Sequence, residues 1–251
     1  MGTSSSSRGP GGRSPLVPSW ADADPDVPLP VPEGQRFRPF RTEFGRYAAG
    51  DGSLRTALGH YARTATGGAA YGPRRFGPAY TAGGGLFGLL GDLRAGGDGS
   101  AFAGIDLSGL AGRTLGYAIQ EIARALAPAN GDADKVAVAI REAVAEVLPD
   151  VEIFDPATLT PDDIIAILIE FLARILFQQV TDDAGSAWNR APDDERSAMA
   201  EGELFDLIKV AVDKHVGARL ADGMGQLSRQ QVERLQRAAM EDVWREWEAY
   251  E

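Results

Sequence analysis

Cysteine is absent from the 251 residues, which excludes disulfides, thiolate nucleophiles, cysteine-ligated zinc and iron–sulfur clusters together. Histidine is nearly absent: with only His60 and His215, a metal site needing two imidazoles would have to join distant segments. No metal set is expected. Lysine is scarce, with Lys135, Lys209 and Lys214 the only three among 25 basic residues. This arginine bias points to a GC-rich, bacterial source. Long apolar runs are missing too. The longest, Ile164 to Phe177, is broken by Glu170 and Arg174, whereas a membrane span needs about 20 residues. No h-region follows Met1, so neither a secretory signal nor a membrane crossing is expected, and a cytoplasmic location follows. Finally, no stretch alternates apolar and polar residues in the manner of a strand.

What is present is uneven. Residues 1–100 carry 11 Arg against 8 acidic residues, while residues 101–251 carry 14 basic against 28 acidic, for a net charge of −11. Residues 1–33 hold Ser4–Ser7, seven prolines and few large apolar groups, too little buriable area to offset chain entropy. They read as a disordered tail, with Pro25–Pro32 a polyproline-like spacer. Residues 34–95 read as a basic helical region rich in Gly, Arg and aromatics, 96–106 as a linker, and 107–251 as an acidic helical bundle.

The helices announce themselves by period and by caps. Phe37, Phe40, Phe44 and Tyr47 recur at helical spacing, and Ser53 is placed to cap a helix carrying Leu54, Leu58 and Tyr61. A third helix is expected from Pro78 to Arg94. Stripes follow at Leu115–Leu126 and, behind a capping Asp132, at Val136–Val147. Thr160-Pro161-Asp162-Asp163 is a strong start signal for an all-round apolar, hence central, helix. Pro192-Asp193-Asp194-Glu195 opens another, and Ser228 with Gln231 forms a capping box before the last. The expectation is an all-α protein, a bundle of about seven or eight helices behind a long tail.

The chemical motifs are thin. Gly83-x-Gly85-x-x-Gly88 matches a dinucleotide fingerprint, but no strand precedes it and no βαβ unit follows, so close helix packing is the better reading. Asp22, Asp24, Asp26 and Glu33 imitate a calcium loop, yet Val27 stands where glycine is required and prolines interrupt it. Asp162-Asp163, Asp182-Asp183 and Asp193–Glu195 lie near helix ends, where the dipole or solvation explains them. His60 and His215 read as packing and helix-end residues. With no nucleophile–base pair or phosphate loop, an enzyme is not expected.

Two features carry more. Residues 36–75 hold eight arginines, including Arg36, Arg38, Arg41, Arg46, Arg74 and Arg75, against Glu43 and Asp51, with aromatics interleaved. Phosphate contact with base stacking would suit this pattern. So would an aromatic core stripe whose arginines pair with the acidic half or with a partner. The second feature is the start. Met1-Gly2 is a context in which the initiator is trimmed, and no lysine precedes Lys135. The Gly2 α-amine is then the first primary amine of the chain, with roughly a tenth to a sixth neutral at pH 7, against under 0.1 % for an ordinary lysine.

The motifs, taken in order, resemble a known family. They are Met1-Gly2-Thr3-Ser4-Ser5-Ser6-Ser7-Arg8-Gly9-Pro10-Gly11-Gly12, Pro15-Leu16-Val17-Pro18, and Arg36-Phe37-Arg38-x-x-Arg41-x-x-Phe44-Gly45-Arg46-Tyr47-Ala48. Leu58-Gly59-His60-Tyr61, Thr66-Gly67-Gly68, Arg74-Arg75-Phe76-Gly77 and Thr81-Ala82-Gly83-Gly84 follow. The chain resembles the QatB family of the bacterial Qat anti-phage defence system, closely over about the first 90 residues and more loosely beyond. The resemblance implies partnership with an ATPase, a QueC-like enzyme (QatC) and a TatD-like nuclease, and no chemistry or cofactor of its own. QueC-like enzymes use ATP to activate a carboxylate on a 7-deazaguanine and pass it to an amine. By analogy, Gly2, Thr3, Ser4 and Ser5 would enter the partner's active site, while the body docks the partner around Arg41, His60 and Arg75. A nucleic-acid adaptor using residues 36–75, and a pure scaffold, are the alternatives.

Overall fold

The computed structural model describes residues 10, 11, 14–220 and 227–251, and it is all-α. Nine α-helices occur among the described residues: α1 (Arg38–Ala48), α2 (Leu54–His60), α3 (Gly77–Arg94), α4 (Ser100–Ala103), α5 (Leu115–Leu126), α6 (Ala133–Val147), α7 (Pro161–Ala184), α8 (Asp194–Leu220) and α9 (Arg229–Glu248). A π turn (Tyr61–Ala65) continues α2, and short 3-10 turns fill several connections. One isolated antiparallel bridge, Thr114 with Ile153, is the only extended pairing among the described residues.

The caps form as local chemistry dictates. Ser53 Oγ accepts from the Thr56 N–H at 3.2 Å. Thr160 and Asp163 exchange hydrogen bonds at 2.8 and 3.1 Å, and so do Ser228 and Gln231 at 2.8 and 3.3 Å; each reciprocal pair satisfies two orphan donors. Asp132, expected as a cap, stands at the start of α6 without a side-chain cap bond; its own N–H is met by Asn130 Oδ1.

The chain divides into two compact units, each assembled from segments far apart in sequence. The first comprises residues up to Phe76, Leu176–Ala211 and Ala239–Glu251; the second comprises Gly77–Ile175 and Val212–Ala238. The core of the first is aromatic. Phe40, Phe44, Tyr61, Trp244 and Trp247 are fully buried, with ring centroids 4.9 to 6.5 Å apart along the cluster. Such spacing is that of favourable tilted and edge contacts.

The second unit is mainly aliphatic, with Phe154 and Phe171 in its core, and packs through glycine. A Cβ on Gly83 would stand 2.2 Å from Gln236 Oε1, on Gly84 2.8 Å from Glu233 Cγ, on Gly85 2.9 Å from Leu126 Cδ2, and on Gly88 2.2 Å from the Phe102 ring. The fingerprint-like glycines therefore serve helix packing. By length and composition, Pro161–Arg190 is apolar enough to cross a membrane, but 61% of its most apolar window is buried inside the protein. Within α7, Glu170 is buried against Arg174 at 2.7 Å, and Arg174 also reaches Glu142 of α6 at 2.8 Å.

Residues 14–27 correct the expectation of a disordered tail across 1–33. Leu16, Val17 and Ala21 are buried, and tight turns run through the segment. Composition misjudged it because the segment needs no core of its own: it borrows one from the first unit.

Candidate functional site: an arginine-held leader

Four arginines of the basic segment point inward. Arg36, 3 % exposed, donates from Nε to the Ala65 carbonyl at 2.9 Å, from Nη1 to that of Ser14 at 2.6 Å and from Nη2 to that of Pro15 at 3.0 Å. Arg41 donates from Nε to the Asp183 carbonyl at 2.8 Å and from Nη2 to the Pro10 carbonyl at 2.9 Å. Arg74, also 3 % exposed, grips Asp22 with two bonds of 2.9 and 2.7 Å and adds the carbonyls of Asp24 and Val27, each at 2.7 Å. The Ala23 N–H returns a bond to the Arg74 carbonyl at 2.9 Å. Together these hold the leader at Pro10, Ser14, Pro15, Asp22, Asp24 and Val27.

The physical reason is an accounting one. A segment of turns outside any helix or strand leaves most of its carbonyls without backbone partners, and a buried unmet carbonyl is costly. Guanidinium groups offer several donors in a fixed fork, so one side chain can satisfy two or three acceptors. Burial and the neighbouring Arg75 pull the Arg36 guanidinium below its ordinary range, whereas the hydrogen bonds to Asp22 hold that of Arg74 above it.

Asp183 organises the interior behind this clamp. It is 1 % exposed, receives Arg75 at 2.6 and 3.3 Å, the Tyr61 hydroxyl at 2.9 Å and Gln179 Nε2 at 3.0 Å. Burial first, then the Asp183 charge, drives the Tyr61 phenol well above its usual range, so it stays a donor. The π turn sets this geometry: its Thr66 N–H bonds the Tyr61 carbonyl at 3.1 Å, while the Thr66 hydroxyl accepts from Trp244 Nε1 at 2.8 Å. Gly67 and Gly68 follow with φ of 82° and 90°, left-handed values that favour glycine, and Leu16 of the leader rests near Gly67. Thus Thr66-Gly67-Gly68 is the bend against which the leader packs.

The remaining candidates lie outward. Arg38 bonds Gln35 Oε1 at 3.3 Å, Arg46 pairs with Glu43 at 3.0 Å, and half-buried His60 closes α2. Phe37, Arg38, Arg41, Thr42, Ser186 and Arg190 line a cleft of about 400 Å³, and Arg41, on its wall, is the residue that holds Pro10. Phe37, Phe40, Phe44, Tyr47 and Tyr61, between the arginines, are buried, so those rings form a core stripe instead of an outward stacking platform. Gly2, Thr3, Ser4 and Ser5 lie outside the described residues. Among the described residues, no group of three or more His, Asp or Glu could hold a metal.

Sequence reasoning missed Asp22 and Asp183. Asp22 sat in an apparent acidic spacer, and Asp183 was assigned to a solvated helix end. The available signal was the local excess of arginine in residues 36–75, which demanded acceptors from elsewhere.

A family model described as Qat anti-phage system associated protein QatB matches residues 67–247, well over half of the chain. The chain belongs to the QatB family. No curated protein and no solved structure matched it. The match begins at Gly67, at the bend that receives the leader, and so lies mostly beyond the first 90 residues on which the resemblance was closest. Membership ties the QatB chain to the Qat anti-phage system.

Proposed function

We propose that this QatB chain is a non-catalytic, cytoplasmic component of the defence assembly. It docks a QueC-like partner, QatC, and offers it the Gly2 amine for conjugation to a 7-deazaguanine activated with ATP. The observation that supports this is the clamp. Pro10 is held by Arg41 beside a basic cleft, so the Gly2 end is tethered to that point. Seven residues lie between Gly2 and Pro10, and eight residue steps of at most roughly 3.6 Å confine the amine within about 29 Å of that point. A short tether raises the effective concentration of an amine at a docked active site more than a long one does.

Intact mass of the chain purified from cells expressing the active Qat system is the test. A Met-free chain carrying an added 7-deazaguanine mass at Gly2, lost in Gly2→Pro, is expected. An unmodified, Met-free Gly2 in a system that still restricts phage overturns the conjugation.

A further inference from the structure

The leader's backbone is largely spent on the clamp, while several of its large apolar side chains remain exposed. Trp20 is 56 % exposed, Val27 46 % and Val31 91 %, an unusual density of bare apolar side chains for so short a stretch. Between Val27 and Arg36 the chain is stretched across two fixed points: Arg74 holds the Val27 carbonyl at 2.7 Å, and Arg36 bonds Ala65 at 2.9 Å, with Phe37 buried behind it. Residues 28–33 take no helix or turn. Pro28, Pro30 and Pro32 fix alternate φ angles near −65° and remove alternate donors. Asp26 and Glu33, both exposed, bracket this span with negative charge.

We infer that the Trp20–Val31 face of the leader is a docking strip for a protein partner with an aromatic-lined apolar trough rimmed by lysine or arginine. Proline-spaced extended segments are read by such troughs because their shape is set before binding, so little ordering entropy is lost. Trp20 supplies the large anchor typical of binding hot spots, and Asp26 with Glu33 select a basic rim. The strip deepens the docking reading above and rests on it: it names where the amine-receiving partner holds on, on the same leader whose start it would take.

The experiment is co-purification with the QueC-like enzyme, using the full chain, Trp20→Ser/Val31→Ser, a chain lacking residues 2–9, and Val210→Ser as an exposed control on α8. The double variant is expected to recover at least about tenfold less partner while its thermal melt is unchanged. The truncated chain and the Val210→Ser control are expected to recover it fully. Full recovery by the double variant overturns the strip while leaving the docking reading intact. Failure of the unaltered chain to recover the enzyme overturns the docking reading and the strip together. Loss in the truncated chain but not in the double variant moves recognition to residues 2–9, and overturns the strip alone.

Discussion

In the unit that carries the leader, a turning segment outside any helix or strand leaves carbonyls without backbone partners, and Arg36, Arg41 and Arg74 meet several of them. In the other unit, most of the described chain is helical and satisfies its own backbone, and glycines there bring helices together. The first is held by directional, charge-assisted bonds around an aromatic core, the second by shape. The contrast teaches that the arginine-rich composition of residues 36–75 answers a structural demand created by the leader. It also provides an internal reporter: Trp20, Trp188, Trp244 and Trp247 all belong to the leader-bearing unit, so tryptophan emission follows that unit alone while far-UV circular dichroism follows both.

The contrast is broken most severely at Asp183. Asp183→Ala removes the carboxylate that Arg75, Tyr61 and Gln179 share. Truncating one partner of such a buried pair costs about 3–5 kcal/mol. In urea, the tryptophan transition is expected to shift to much lower denaturant, with Asp183→Asn milder because an acceptor for Tyr61 remains. An unshifted transition would show that the unit does not depend on this charge.

Arg74→Ala separates leader from body. Hydrogen bonds to a charged group are worth about 1.5–3 kcal/mol each, and Arg74 makes four to the leader. The expected result is local: chymotrypsin cuts at Leu16 and Trp20 at least about tenfold faster, while the helical dichroism is kept. Equal protection in the variant would mean that Arg36, Arg41 and the buried Leu16 and Val17 hold the leader without Arg74.

Gly72→Ala attacks the aromatic core by shape. A Cβ there would lie 1.9 Å from Trp244 Nε1, whose ring is stacked on Trp247 and bonded to Thr66. With no flexible atom to yield, a loss of about 1–3 kcal/mol is expected, again in the tryptophan transition.

These residues also mark what the sequence made legible. Helix limits were readable at Ser53, Thr160 and Ser228 because a cap hydroxyl and the backbone N–H that donates to it lie three residues apart. Asp132 makes no cap bond: its backbone stands at φ −96°, ψ 2°, outside the extended conformation that the capping Ser53 takes. The clamp was not readable for a different reason. Its acceptors are mostly backbone carbonyls, which every residue carries, so nothing in the identity of Ser14, Pro15 or Val27 advertises the bond. Asp183 was hidden by distance: its partners Tyr61 and Arg75 lie over a hundred positions away, and an acidic pair at a helix end looks solvated from its neighbours alone.

Alkaline titration sharpens the comparison further. Burial raises the phenols of Tyr61 and Tyr47, and that of Tyr250 to about 12, all in the leader-bearing unit. A group whose folded value is raised lends stability that is complete below its unfolded value near 10 and is lost as pH climbs toward the folded one. The tryptophan transition should therefore weaken above about pH 10, by up to about 1.4 kcal/mol per pH unit for each such phenol. Tyr61→Phe is expected to cost about 1 kcal/mol at neutral pH and to reduce that alkaline slope; an unchanged slope would assign it to other groups.

The smallest effect has the opposite sign and belongs to the glycine-packed unit. Gly91 sits within α3, yet a Cβ there meets nothing within 4 Å, because it opens on a cleft of about 400 Å³ beside Phe87 and Phe102. Gly91→Ala should then gain the ordinary helix preference of alanine, about 0.5–1 kcal/mol. The expected signature is a higher urea midpoint by far-UV dichroism with the tryptophan transition little moved. Paired with Gly72→Ala, the same one-carbon addition gives opposite signs, because one glycine faces a locked indole and the other faces space. If Gly91→Ala destabilised instead, shape complementarity in this unit would extend to glycines that touch nothing, and close packing alone would no longer explain its glycine content.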